Sequence, residues 1–286
     1  SDTIPVKVQE GMKFMSILAD QHLHSSFSGD STEPMENIAE AALKRGLAHI
    51  TFTEHMDMGY PVTEDTPEGT FLLNADSYIY DFLRTRFKYD GRLSVRLGVE
   101  IGLDPRFIKE LNTFAGTHEY DFIIGSTHLA NGRDPYYPDF FEGCSEEEAF
   151  REYFLAELEN LRTFDFFDVA GHLDYCVRYG KEKDRNYSYD KYKDILDEIL
   201  SVLLKKEKGL ELNTGSLRSG TKDVSPCREL LARYHELGGS LITVGSDAHK
   251  ASDVASDFSL ASEILTDCGF KYYCIYEKHQ PVYMKL

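Results

Sequence analysis

The sequence predicts an α/β fold in which seven parallel strands alternate with helices. Seven short apolar runs, rich in β-branched residues and lacking regular polar alternation, indicate strands buried on both faces. In chain order they are SILADQHLH, AHITFTEH, VRLGVEIG, FIIGSTH, FFDVAGHLD, GLELNTGS and LITVGSDAH. Helical patterns lie between several of these runs, and repeated strand–helix units form either a closed barrel or an open doubly wound sheet.

The polar residues that close each run favour the barrel. Every run ends in His, Asp, Glu, Asn or Arg side chains. In a barrel the C-terminal ends of all strands converge on one site, whereas a doubly wound sheet uses mainly the loops near its switch point. We therefore expect a distorted (β/α)7 TIM-like barrel with its functional site at the C-terminal ends of the strands.

Four helices carry recognisable start or stop signals. The first begins near Pro34 and ends at Gly46. A second opens with the Ser145-x-x-Glu148 pattern of a capping box. The segments YKDILDEILSVLLKKEKG and SPCRELLARYHELGG show the same apolar spacing and each ends in glycine.

A chain of 286 residues could form one large barrel or two smaller domains, and composition does not choose between them, but the strand–helix pattern favours one barrel. We treat residues 1–15 as an N-terminal extension and residues 16–286 as a single barrel domain. No apolar run is long enough to span a bilayer, and the polar N-terminus shows no secretory signal. Five scattered cysteines without a CxxC pair suit reduced thiols, so a cytoplasmic protein without a membrane partner is expected. The net charge of −18 argues against a nucleic-acid partner.

A recurring set of metal-ligand side chains occupies the strand ends. His22 and His24 alternate in a strand and can present two imidazoles to one ion. Such a pair alone is weak evidence, because two partly exposed histidines are common at a strand end. The same position after later apolar runs, however, is taken by His55, Glu100, His128, His172, Asp247 and His249. Convergent imidazoles and carboxylates at a barrel mouth predict a metal site.

The motifs DQHLHSSFSGDS, TEH, GVEIG, GSTH, GHLD and GSDAH, in this order, resemble the PHP (polymerase and histidinol phosphatase) superfamily. The combination of LGVEIG, HLDYCVRYG and ELNTGSLRSG is similar to its histidinol-phosphate phosphatase branch. The resemblance implies a distorted seven-stranded barrel that holds two to three divalent ions.

The resemblance also implies a distribution of ligands. One ion would lie on His22, His24, Glu100 and Asp247, a second on Glu100, His128 and His172, and a third on Asp30, His55 and His249. Some relatives carry His in place of Asp30, and Asp is also familiar there in the histidinol-phosphatase branch. Within this set we expect Glu100, Asp247 and His249 to be catalytic.

The donor set itself points to particular metals and chemistry. Imidazoles and carboxylates without thiolates suit Zn, Mn or Fe. Ions that share a water lower its pKa toward neutrality, so a metal-bridging hydroxide could attack a phosphate ester without any side-chain nucleophile. No GxSxG or CxxxxxR signature competes with this mechanism. We expect Asp20 to accept a hydrogen bond from a metal-bound imidazole.

Four further residues are candidates for binding the substrate. Arg178 and Arg218 follow the fifth and sixth runs, and planar guanidinium groups suit a phosphate dianion. Each could instead pair with a surface carboxylate. Glu54 could face the substrate or simply finish a strand, and Asn213 could bind the substrate's polar groups or cap its loop.

The expected activity is hydrolysis of L-histidinol phosphate to L-histidinol and phosphate, a step of histidine biosynthesis implied by the resemblance. The alternative is a PHP phosphoesterase acting on another small phosphate, such as a nucleotide or a phosphotyrosyl peptide. A metal-dependent amidohydrolase is disfavoured, because this sequence offers no candidate for the lysine that bridges the metals in that class. A binding module without catalysis is disfavoured too, because every expected metal ligand is present. The oligomeric state is left open.

Overall fold

The computed structural model describes residues 17–286 and contains seven parallel strands in a nearly closed barrel. Each strand pairs in parallel with its neighbours in chain order, so the predicted fold class is confirmed. The strands are Ala19–Leu23 (β1), His49–Met56 (β2), Ser94–Gly102 (β3), Phe122–Ser126 (β4), Val169–Ala170 (β5), Gly209–Asn213 (β6) and Ile242–Gly245 (β7). The predicted extension at residues 1–15 lies outside the described residues.

Two backbone hydrogen bonds join the end of β1 to the segment just after β7, where predicted ligands lie. The backbone N–H of His24 donates to the carbonyl of Ala248 (3.0 Å), and that of Asp247 donates to the carbonyl of His22 (2.9 Å). Between Asp20 and Leu23, β1 contains one residue more than the facing part of β2. Such a bulge re-aims the side chains around it.

Eight helices lie within the described residues, and all four predicted ones are present. They are Met35–Lys44 (α1), Ala75–Tyr89 (α2), Ile108–Ala115 (α3), Glu146–Thr163 (α4), Lys193–Lys205 (α5), Gly215–Arg218 (α6), Arg228–Glu236 (α7) and Phe258–Asp267 (α8). The predicted capping box forms: the hydroxyl of Ser145 accepts from the N–H of Glu148, whose carboxylate accepts from the N–H of Ser145. None of these helices is long and apolar enough to cross a membrane.

A C-terminal hairpin that the sequence did not predict covers the opposite end of the barrel. Its strands are Tyr272–Glu277 (β8) and Gln280–Lys285 (β9), which pair antiparallel. The ring of Tyr276 stacks on Phe122, the first residue of β4, at 5.0 Å between centroids. The hairpin therefore closes the N-terminal end of the strands and leaves the C-terminal end to the functional site.

Candidate metal centre

The predicted ligands converge at the C-terminal end of the barrel. His22, His55 and Glu100 lie within β1, β2 and β3, while His128, His172 and Asp247 directly follow β4, β5 and β7. All of them are buried, with exposed fractions below one tenth. His249 is partly exposed at the rim, and Asp30 comes from the loop between β1 and α1.

Glu100 occupies the middle of the cluster. Its Oε2 lies 3.1 Å from His22 Nε2 and 3.0 Å from His55 Nδ1. Its Oε1 lies 2.8 Å from His172 Nε2 and 3.1 Å from His128 Nε2. The side chain is fully buried. One carboxylate thus faces imidazoles from four strands, as a bridging ligand would.

The cluster contains several overlapping groups of ligand atoms within 4.8 Å of one another. One group is His22, His24 and Asp247, which are three of the four residues predicted for the first ion. Glu100 belongs to two others, with His22 and His172 and with His55 and His128, and its Oε1 lies beside both partners predicted for the second ion, His128 and His172. Asp30 Oδ2 lies 3.5 Å from His55 Nε2 and 3.1 Å from His249 Nε2, which brings the predicted third set together.

The donor atoms fit divalent ions. Among residues 17–286, four buried atoms that meet at Glu100 have no hydrogen-bond partner: His22 Nε2, His24 Nε2, His55 Nδ1 and Glu100 Oε2. Burying polar atoms without a partner is costly. Several such atoms of mixed imidazole and carboxylate type, meeting at one point, are what a zinc-, manganese- or iron-type site requires.

Two carboxylates that the sequence analysis missed orient these imidazoles. Glu211 Oε1 lies 2.6 Å from His22 Nδ1, and Asp57 Oδ1 lies 2.6 Å from His128 Nδ1. Because an ionised carboxylate only accepts, both Nδ1 atoms carry the proton and leave Nε2 toward Glu100. Glu211 is two residues before Asn213 in β6, and Asp57 is two residues after His55. Alternate strand residues share a face, as His22 and His24 do, so a search for polar residues two positions from each candidate would have found both carboxylates.

His24 is oriented through a serine. Its Nδ1 lies 2.9 Å from the Ser28 hydroxyl, which donates to Glu54 Oε2 at 2.6 Å. Glu54 also accepts from the N–H and the hydroxyl of Ser25. Its carboxylate is fully buried and does not line the cavity. The suggestion that Glu54 faces the substrate is therefore corrected, because the serines already bind its oxygens.

The electrostatics of the cluster favour bound positive charge. Burial alone would raise the pKa of Glu100, but the imidazoles of His22, His128 and His55 hold it well below its usual range. For His22, burial alone would lower the pKa of the imidazole. The carboxylates of Glu211 and Glu100 outweigh burial and hold this pKa well above its usual range. The carboxylates thus require cations, which protons on imidazoles or divalent metal ions can supply.

A cavity of about 370 Å³ opens onto the cluster. Arg178 lines it and is only 9% exposed. The guanidinium lies over the ring of Tyr175 (5.1 Å), and Nη1 is 3.5 Å from Asp247 Oδ2. Its Nε and Nη2 have no partner among residues 17–286. Buried guanidinium donors without partners beside a metal cluster suit an oxyanion.

A protein-family model described as the PHP domain matches residues 20–215, which is more than half of the chain. The chain belongs to the PHP domain family. Within it, the chain falls among the histidinol-phosphatases. It is 36% identical over 253 residues to the histidinol-phosphatase of Lactococcus lactis, covering 88% of this chain and 91% of that protein. It is 34% identical over 255 residues to the probable histidinol-phosphatase of Clostridium acetobutylicum, covering 88% and 94%.

A solved structure shows the same PHP barrel. The histidinol phosphate phosphatase of Lactococcus lactis, in complex with Zn, L-histidinol and phosphate, superimposes with a TM-score of 0.82 at 31% identity. The alignment covers 92% of this chain and 98% of that one. A putative histidinol phosphatase from Listeria monocytogenes shares the fold, with a TM-score of 0.73 at 19% identity.

Two residues of this PHP barrel predicted to bind substrate lie beside the cavity rather than in it. Asn213 is fully buried and does not line the cavity, because its amide donates to Glu211 Oε2 (3.1 Å) and Asp247 Oδ2 (3.4 Å). It therefore positions carboxylates, and its Oδ1 accepts from the N–H of Gly215 (2.8 Å), so Asn213 caps its loop, the second role suggested for it, instead of binding the substrate. Arg218 Nη2 donates to the carbonyls of Ser246 (2.6 Å) and Asp247 (2.8 Å). A phosphate contact by Arg218 stays a prediction.

Asp20 has a different role from the predicted one. Its carboxylate accepts from the N–H and the hydroxyl of Ser246 and from the N–H of Ala255. No imidazole N–H is bound to it within the described residues. Asp20 therefore holds the loop after β7, which carries Asp247 and His249, instead of orienting a ligand ring directly.

Proposed function

We propose that this chain is a metal-dependent phosphomonoesterase that hydrolyses L-histidinol phosphate to L-histidinol and phosphate. The observation that carries the proposal is the carboxylate of Glu100, surrounded by imidazoles with unpartnered nitrogen atoms in a cluster onto which a cavity opens. The names of the Lactococcus lactis and Clostridium acetobutylicum relatives support the substrate, and they imply a role in histidine biosynthesis.

The predicted ligand residues would hold two to three divalent ions, of Zn, Mn or Fe. Bound ions of this kind supply Lewis acidity, which activates water near neutral pH and offsets the charge of a phosphate. In our proposal Glu100 joins two of the ion positions. Glu211 and Asp57 keep the imidazoles of His22 and His128 in the tautomer that presents Nε2 to the centre.

Arg178 is the residue that we propose binds the phosphate. It lines the cavity, two of its donors have no partner among residues 17–286, and its charge is held between Asp247 and the face of Tyr175. Asp247 and His249 also line the cavity, so both would lie beside the bound phosphate. The alcohol portion would then extend toward the tyrosines that line the outer cavity.

The proposed setting follows from composition. Five free cysteines, of which three are buried, suit a reducing compartment, and we propose that the protein works in the cytoplasm. Its net charge of −18 disfavours a nucleic-acid partner, and a small phosphate ester is the expected partner instead.

Metal removal tests the proposal directly. Protein purified without chelator should contain two to three equivalents of metal per chain by elemental analysis. Dialysis against a chelator should abolish phosphate release from L-histidinol phosphate, and Zn²⁺, Mn²⁺ or Fe²⁺ should restore it. Full activity of the metal-stripped chain would contradict the proposal.

A pair of variants locates the site. Glu100→Ala should reduce turnover by several orders of magnitude and lower the bound metal, because the central carboxylate is lost. Glu236→Ala removes an exposed glutamate of α7 and should leave both quantities unchanged. Equal effects of the two substitutions would place the site elsewhere.

A further inference from the structure

Two long loops form the outer wall of the cavity. Residues 57–74 connect β2 to α2, and residues 127–145 connect β4 to α4. The first loop contributes Tyr60 and Phe71 to the cavity lining, and the second contributes Asp134 and Tyr137. Any substrate that reaches the metal ligands must therefore fit beside these two loops.

Two side-chain hydrogen bonds join the loops to each other. The hydroxyl of Tyr60 donates to Asp134 Oδ2 at 2.5 Å, and the hydroxyls of Thr66 and Tyr137 lie 2.8 Å apart. Thr66 is buried although residues 62–65 and 67–69 on either side of it are exposed. Each loop thus offers a tyrosine to a polar group of the other, and the tip of the first loop is fastened at Thr66.

The first loop is also fixed at its base. The N–H of Asp57 donates to the carbonyl of Phe71 (2.9 Å), which brings the two ends of the loop together. A Cβ on Gly29 would lie 2.3 Å from the carbonyl oxygen of Thr70, so the loop rests against the segment that carries Asp30. The base is therefore tied to the metal cluster.

Asp134 is the point where the second loop is held. Its carboxylate is only 3% exposed and accepts from Tyr60, from the N–H of Tyr136 (2.8 Å) and from the hydroxyl of Tyr175 (3.3 Å). Removing one of these donors leaves a buried carboxylate short of a partner, which weakens the closed arrangement. The hydroxyl of Tyr60 is the donor that comes from the opposite loop.

The space beneath the joined loops is small. The cavity of about 370 Å³ lies near the lower end of the range of roughly 300–1,000 Å³ for small-molecule sites. Its floor already has to hold metal ions and a phosphate. What remains suits a small alcohol better than a folded or extended peptide.

We propose that the two loops form a roof, closed by the Tyr60–Asp134 and Thr66–Tyr137 hydrogen bonds, that admits small phosphomonoesters and rejects phosphopeptides. The roof acts as a size filter on the proposed phosphatase activity and rests on that function. It acts by preventing bulky esters from bringing their phosphate to the cluster, not by contacts with the phosphate itself.

Phenyl phosphate and a phosphotyrosyl peptide test the roof, because they have the same kind of leaving group and differ in size. The metal-loaded full chain is compared with Tyr60→Phe/Thr66→Val, which removes one hydroxyl from each joining hydrogen bond and keeps the side-chain size. Tyr272→Phe/Thr113→Val is a matched control, since both residues are exposed and neither lines the cavity.

The roof variant should raise kcat/KM for the peptide relative to phenyl phosphate by about tenfold, as expected for two lost hydrogen bonds. Backbone hydrogen exchange in residues 57–74 and 127–145 should become faster, and the control should match the wild type in both measurements. If the ratio of kcat/KM for the peptide to kcat/KM for phenyl phosphate is the same in the roof variant and the wild type, the roof proposal is wrong, whatever the hydrogen-exchange rates show. Wild-type turnover of L-histidinol phosphate is measured alongside: its absence would reject the proposed function, whereas its presence with an unchanged ratio would reject the roof alone.

Discussion

Glu211 Oε1 lies 2.6 Å from Nδ1 of His22, while its Oε2 accepts the backbone N–H of His172 at 2.9 Å. One carboxylate of β6 therefore fixes an imidazole on β1 and the backbone of a second ligand after β5. Both histidines face Glu100, His22 at its Oε2 and His172 at its Oε1. The two oxygens of Glu211 therefore help to set the distance between these two predicted ligands.

Glu211→Gln should weaken metal binding about 10–100-fold, because an amide is a poorer acceptor for the His22 N–H and no longer enforces its tautomer. The measurement is competition for Zn²⁺ with a coloured chelator of known affinity. Glu207→Gln, on the exposed segment before β6, is the control and should bind metal like the wild type. Identical affinities for both variants would show that Glu211 does not support the ligands.

Gly245→Ala should destabilise the protein by about 1–3 kcal/mol through overpacking. A Cβ at this position would lie 2.3 Å from the Cβ of His22 and 2.4 Å from Glu211 Oε1. Only glycine therefore fits at this point of β7 without displacing the two side chains. Urea unfolding measures the effect. Gly116→Ala is the control, because its Cβ would meet only ordinary contacts of 3.5 Å or more. A free energy of unfolding equal to that of the wild type would contradict the close approach.

Most of the barrel and its predicted ligands followed from the sequence because both leave periodic signals. The hairpin of β8 and β9 did not, because its turn uses Lys278 and His279 at positive φ (50° and 62°) without the Asn-Gly pattern that usually marks such turns. Of the two roles suggested for Glu54, the substrate contact was wrong, because Glu54 adjoins His55 in β2 and neighbouring strand residues face opposite sides. Hydrogen-bond partners that meet across distant strands, such as Glu211 and His22, have no local signal.

Glu157 should make the protein less stable as the pH rises. Burial in α4 raises the pKa of this carboxyl from 4.5 to about 8, and the neighbouring Thr127 hydroxyl and His128 offset only part of that rise. The folded state therefore holds a proton that the unfolded state releases between these values. Its contribution is favourable to folding below about pH 4.5 and is lost progressively up to about pH 8, a change of roughly 3–5 kcal/mol.

Glu157→Gln should accordingly be more stable than the wild type at pH 8 and should lose this part of the pH dependence. Urea unfolding at pH 5, 7 and 8.5 measures it. Glu159→Gln, two residues along the same helix and exposed, should keep the wild-type pH profile. If Glu157→Gln keeps that profile too, the carboxyl is not protonated in the folded state.

Arg178→Ala should lower kcat/KM for L-histidinol phosphate, because a charge-assisted contact to the phosphate is lost. The loss should correspond to about 2–4 kcal/mol of transition-state stabilisation, and the metal content should stay intact. Arg178→Lys should recover only part of the loss, since a point charge cannot reproduce the planar fork. Arg228→Ala, which removes an exposed partner of Asp223, is the control. A full recovery by lysine would mean that only the charge matters.

Arg218→Ala distinguishes phosphate binding from support of the backbone. If Arg218 also reaches the phosphate, its loss should raise KM for the ester and for inorganic phosphate as an inhibitor. If it only holds the carbonyls of Ser246 and Asp247, the main effects should be a lower melting temperature and weaker metal binding, with inhibition by phosphate unchanged. Steady-state kinetics and thermal unfolding of the same preparation separate these outcomes.

The most direct test of the account compares kcat/KM of the metal-loaded protein for L-histidinol phosphate, p-nitrophenyl phosphate and a nucleoside monophosphate. The aryl ester has the better leaving group, so a preference for L-histidinol phosphate can come only from binding of its imidazole and amine. We predict the highest kcat/KM for L-histidinol phosphate. A higher value for the aryl ester or the nucleotide would contradict the assignment and point to a phosphoesterase for another small phosphate.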